Sequence, residues 1–199
     1  MDIAYPLEQL VRQTLMFGIV PFWLLMGAID AWFHRRDHIE NSAGLHESLL
    51  HLAMVAEIGV GVLLAVFFEI NALVLGLLAS LCVAHEFTSL ADQSYSSSRR
   101  RISVGELHVH SFKDSLPLFS LLLLALLHAD QWLMLFKPNG TAADFALRFK
   151  REPLPWSYSG SVLAAAVLLV VIPFLFEQRR CRLAQQSSQV PPLVPRRDH

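Results

Sequence analysis

Residues 48–90, SLLHLAMVAEIGVGVLLAVFFEINALVLGLLASLCVAHEFTSL, decide the fold. Two apolar runs, 48–68 and 71–90, are separated only by Glu69-Ile70. A helix crosses a bilayer with roughly 20 mostly apolar residues. Each run meets that length, so the pair reads as a tight transmembrane hairpin. Working outward, three more runs qualify: 10–33 with Pro21 inside it as an expected kink, 116–136, and the shorter 160–176. The expectation is an all-α polytopic membrane bundle of about five transmembrane helices.

The composition agrees with a bilayer. Hydrophobic residues make up 54% of the 199 and charged residues 17%, against about 25% charged in soluble domains. Mean hydropathy is +0.44. The net charge of −1 gives no footprint for nucleic acid. Cys82, mid-run, and Cys181, in a basic segment, do not make a disulfide framework. The first run lacks the basic flank and small-residue cleavage site of a removable leader. Residues 1–182 are expected to form the transmembrane domain and 183–199 a disordered cytoplasmic tail. Residues 137–156 alternate apolar and basic groups, which suggests an interfacial helix.

Orientation follows from Lys and Arg in the loops. One side carries eleven, including Arg35, Arg36, Arg99, Arg100, Arg101 and Lys113; the other carries five. The richer side is expected in the cytoplasm, with the N-terminus outside and the C-terminus inside, in a bacterial inner (plasma) membrane. The Arg99-Arg100-Arg101 run is read as a topology determinant in preference to a lipid-phosphate site.

Seven of the nine histidines then fall on the cytoplasmic side. Asp30, His34 and His38 are spaced by four, so continued helix puts them on one face. Glu47 and His51 repeat that spacing at the start of the second run. His85 and Asp92 are two turns apart, ending the third. Glu106 and His110 precede the fourth, and His108 joins them if the chain there is extended, at period two. Four helix ends thus bring histidine and carboxylate to one level. A lone histidine at a helix end is usually a solvated interfacial group. Seven beside acids at helical spacing point instead to metal ligands. His46 and Glu86 face away from their neighbours Glu47 and His85. Glu57 lies deeper, and Glu57 and Glu86 are candidate proton carriers.

Imidazole plus carboxylate without thiolate suits iron, manganese or zinc. Ten candidate ligands exceed the needs of one tetrahedral zinc. Two metals in a helical bundle are the arrangement of oxygen-activating di-iron proteins. His34-Arg-Arg-Asp-His38 resembles the His-xxx-His box of the membrane-bound histidine-motif di-iron enzymes, the fatty-acid hydroxylases and desaturases. The chain carries no His-xx-His-His, so the resemblance covers ligand style alone. The segments His46-Glu-Ser-Leu-Leu-His51 and Glu106-Leu-His-Val-His110 also look similar to uncharacterised bacterial integral membrane proteins. The resemblance implies a class of enzyme and carries over no substrate. The surplus of candidate ligands points to two iron ions, and the expectation is an oxidoreductase that hydroxylates or desaturates a lipid or other apolar substrate, with an external electron donor because no flavin or haem motif appears. A zinc-dependent membrane hydrolase of lipid amides or esters, using His85, Asp92 and the His-xxx-His pair, is the alternative. A non-enzymatic metal sensor or carrier is a third.

Overall fold

A computed structural model describes residues 6–136 and 144–189. Five helices are long and apolar enough to cross a membrane: α1 (Leu7–Arg36), α2 (Gly44–Phe67), α3 (Ala72–Arg99), α4 (Val104–Leu127) and α5 (Trp156–Ser188). Among the described residues there is no strand, only an isolated bridge between Phe68 and Phe149. The protein is an all-α polytopic helical bundle.

Local sequence explains the helix ends. Asn71 caps α3, its side chain accepting from the Val74 N–H at 3.1 Å. Ser103 caps α4 in the same way, accepting from the Glu106 N–H at 3.2 Å. Between α1 and α2 the chain reverses through His38 (φ 49°) and Gly44 (φ 66°). Pro21 and Pro173 each follow a stretch of wider π-helix, Thr14–Ile19 and Val167–Val171. A proline ring crowds the carbonyl four residues earlier, and widening the turn relieves that clash without ending the span.

The helices close into a ring whose neighbours run α1, α4, α3, α2, α5 and back to α1. Gly27 of α1 lets α5 approach closely: a Cβ there would lie 2.9 Å from Val170 Cγ2. Small apolar clusters line the ring, Met26, Phe33 and Val109 in one and Val74, Leu78 and Leu121 in another.

Several boundaries differ from expectation. The fourth span begins at Val104 and ends at Leu127, not 116–136, because Glu106 and Lys113 in its first three turns bond Arg100 and Asp30 within the bundle. The fifth runs well past 176. Residues 183–189, expected in a disordered tail, continue its helix, and 190–199 lie outside the described residues. The expected interfacial helix over 137–156 is absent among its described residues. Residues 144–150 instead lie extended across the α2–α3 turn, with the Glu69 N–H donating to the Arg148 carbonyl and the Lys150 N–H to that of Phe67, both at 2.9 Å. Lys137 lies outside the described residues.

Candidate metal centre

All five helices send a polar side chain into the ring at one level. From α1 come Asp30 and His34, from α2 Glu47 and His51, and from α3 Asp92, with His85 two turns deeper on the same helix beside Glu57. Helix α4 brings Glu106 and His110, and α5 brings Glu177. None is more than 4% exposed. The level lies where α1, α3 and α5 approach their C-terminal ends and α2 and α4 begin.

Glu177 organises the middle. His34 Nδ1 lies 3.0 Å from one of its carboxylate oxygens and His51 Nδ1 2.8 Å from the other. The two imidazoles stack with 4.3 Å between centroids and 9° between planes. In the neutral imidazole, a carboxylate that accepts from Nδ1–H fixes the tautomer and leaves Nε2 as the acceptor nitrogen.

The Nε2 atoms face oxygens. His34 Nε2 lies 3.5 Å from Asp30 Oδ1 and 3.5 Å from Glu106 Oε1. His110 Nε2 lies 2.9 Å from the same Asp30 oxygen. His51 Nε2 lies 3.3 Å from Asp92 Oδ1. Yet Asp30 Oδ1, His34 Nε2, His51 Nε2, Asp92 Oδ1 and His110 Nε2 are all buried without a hydrogen bond. A buried polar atom left unpaired costs about 1–3 kcal/mol, and five in one place call for a shared partner. Ligands about 2.0–2.2 Å from one metal lie roughly 2.9–3.5 Å from each other. The observed separations fall in that window. Asp30, His34 and His110 can jointly reach one ion, and so can His34, Glu47 and His51.

Charge points the same way. Asp30, Glu47, Asp92, Glu106 and Glu177 are five buried carboxylates, and two permanent cations bond three of them, Glu47, Glu106 and Asp30. Arg100 is one, its guanidinium spanning Glu47 (2.6 Å) and Glu106 (2.5 Å). Burial opposes its charge, but the bonds to Glu106 and Glu47 outweigh that and raise its pKa above the ordinary value. Lys113 is the other, bonded to Asp30 Oδ2. Uncompensated charge among buried groups must be met by protons on imidazole or by bound cations.

Compared with known proteins, the chain matches no protein family, no curated protein and no solved structure.

The candidate ligands named from sequence divide. Asp30, His34, His51, Asp92 and His110 converge with bare ligand atoms. Glu47 and Glu106 belong to the same cluster, but Arg100 holds their oxygens. His85 stands beside it, with Nδ1 3.5 Å from Glu57 Oε2 and Nε2 4.0 Å from Asp114 Oδ1. His38 is outside: α1 ends at Arg36, and the left-handed turn swings its ring 70% into solvent against Glu40. His108 is outside too, since this stretch is helix and not extended, and its Nδ1 bonds the Val104 carbonyl. Glu86 is exposed. Sequence reasoning missed Glu177, Arg100 and Lys113. Glu177 lies one residue beyond the expected end of the fifth span. The Ser103-x-x-Glu106 capping pattern was the available signal that α4 starts early.

Proposed function

We propose that this cluster binds a pair of divalent metal ions, iron in the resting protein, and that the protein is a membrane oxidoreductase using oxygen to hydroxylate or desaturate a lipid or other apolar substrate. The observation that carries the reading is the set of five buried, unbonded ligand atoms on Asp30, His34, His51, Asp92 and His110. Bound iron would supply the redox chemistry that activates oxygen. His34 and His110 would share Asp30 on one ion, while His51 and Asp92 would serve the other. Glu177 would orient both stacked rings. Arg100 would hold Glu47 and Glu106 in place.

Hydroxylation puts one oxygen atom into a C–H bond and reduces the other to water, which consumes two electrons and two protons. The electrons would come from an external donor, as the chain has no flavin or haem motif. The protons would pass along Glu57, His85 and Asp114 toward Lys113 and Asp30. Eleven of the sixteen Lys and Arg lie on the cluster's side of the sequence topology. That bias supports a cytoplasmic centre in a bacterial plasma membrane.

A second reading has its own support. Asp30, His34 and His110 form a three-ligand set around one point. Three ligands with an open fourth position are what a catalytic zinc uses to activate water, so a zinc hydrolase of lipid amides or esters is the alternative. Metal analysis with oxygen uptake separates the two. About two irons per chain with reductant-dependent oxygen consumption supports the oxidoreductase. About one zinc without oxygen uptake supports the hydrolase.

A further inference from the structure

A cavity of about 720 Å³ enters the ring from the end opposite the buried cluster. Its rim lies at the α2–α3 turn, where Glu69, Asn71 and Lys150 meet it, and its inner end is Glu57. Along α2, Glu57 and Glu69 are twelve residues apart, roughly 18 Å of helix. The walls between them are apolar: Ile58, Gly61, Leu78, Leu121 and Leu124. The shape is a narrow greasy shaft about as deep as one bilayer leaflet, roughly 15 Å of hydrocarbon.

The rim carries charges of both signs. Glu69 faces Arg148 at 3.3 Å and Arg151 at 3.5 Å, and Asp144 is bonded by Arg148. Arg12 faces Glu8 at 3.2 Å, and Glu152 is exposed to solvent. Lys150 differs. Its ammonium donates to the Ala65 carbonyl at 2.6 Å and pairs with no carboxylate among the described residues. Burial, then the nearby Arg12, lowers its pKa. Burial also lowers the pKa of His128 on the same rim; Asp130 opposes this, while Lys150 and Arg12 add to it. Arg12, His128 and Lys150 all line the cavity, and the ammonium of Lys150, the lining cation with no carboxylate partner among the described residues, is placed to meet an anion there.

We propose that the cavity binds a single long-chain fatty carboxylate, with the headgroup at Lys150 and His128 and the acyl chain running down the shaft to Glu57. One unpaired ammonium matches a univalent headgroup, and the depth matches a single chain. This names the substrate class of the proposed oxidoreductase and rests on that reading. The tail end would stop at Glu57, which faces His85 and lies six residues, about 9 Å of helix, from the candidate ligand His51.

The test is photolabelling of the full chain in phosphatidylcholine nanodiscs with palmitate carrying a diazirine at its tail end. Label is expected on the residues around Glu57 and Cys82, removed by unlabelled palmitate and at least about tenfold less effectively by methyl palmitate, since a charge-assisted contact is lost. Lys150→Glu should cut that labelling about tenfold for the same reason. Val62→Trp, midway down the shaft, should shift the label toward the rim. Competition by methyl palmitate equal to palmitate would overturn the proposal. So would label spread over lipid-facing residues such as Leu126 and Leu168 and indifferent to both variants. Metal content of the same preparation is a separate readout, so a metal centre without palmitate binding rejects only this inference. Palmitate binding without metal rejects only the oxidoreductase.

Discussion

The imidazoles of His34 and His51 lie stacked, 4.3 Å between centroids, although their residues come from different helices. Both rings give Nδ1 to the one carboxylate of Glu177. Two free Nε2 atoms are thereby held side by side, in the one part of the bundle where five carboxylates gather.

Glu177→Gln tests that relationship. A glutamine amide can accept from one Nδ1–H only, and its NH2 group confronts the other ring. Loss of such an orienting partner typically costs 10–100-fold in metal affinity. Chelator competition on the purified variant should show a loss of about that size. Unchanged affinity would mean that Glu177 does not orient ligands.

Histidines inside and outside the ring should behave differently. His34→Ala and His110→Ala are expected to abolish stoichiometric metal binding. His38→Ala and His108→Ala, both on exposed rings, should leave it intact. Elemental analysis of the four variants, each checked for folding by size exclusion, decides the matter. Metal loss in His38→Ala would move the centre to the loop after α1.

Arg100→Met leaves Glu47 and Glu106 buried without their shared counter-ion. Removing one member of a buried ion pair costs about 3–5 kcal/mol. The variant should lose thermal stability in detergent by an amount visible in a single scan. The double variant Arg100→Met with Glu47→Gln should recover part of it. If Arg100→Met melts like the parent, the Arg100 bridge contributes nothing to the fold.

Gly27→Leu tests the ring closure between α1 and α5. Even a Cβ would sit 2.9 Å from Val170, and valine is stiff at χ1. Overpacking of this kind costs about 1–3 kcal/mol. Gly59 has open space around its Cβ position, so Gly59→Leu should be tolerated. Equal melting of the two variants would count against this packing.

Hydropathy made the helix count and the α2–α3 hairpin legible, because lipid contact leaves long apolar runs. Spacing by four made the shared level of Asp30, His34, Glu47 and His51 legible. The rest was hidden for physical reasons. The first turns of α4 carry Glu106, Lys113 and Asp114, which a hydropathy window rejects although their partners lie inside the ring. Arg100 has the same composition signal as its neighbours Arg99 and Arg101, and only the bundle singles it out. Glu177 follows an apolar run directly, and nothing in its local sequence marks it as the group that binds two histidines 143 and 126 residues away. His38 shows the converse: the His-xxx-His spacing is present, but the helix stops at Arg36 before it matters.

The most direct test of the paired-metal centre is metal content of the protein purified in mild detergent without chelators, then reconstituted anaerobically with ferrous iron. The account predicts about two irons per chain, with the stoichiometry lost in His34→Ala. No bound first-row metal after reconstitution would contradict it.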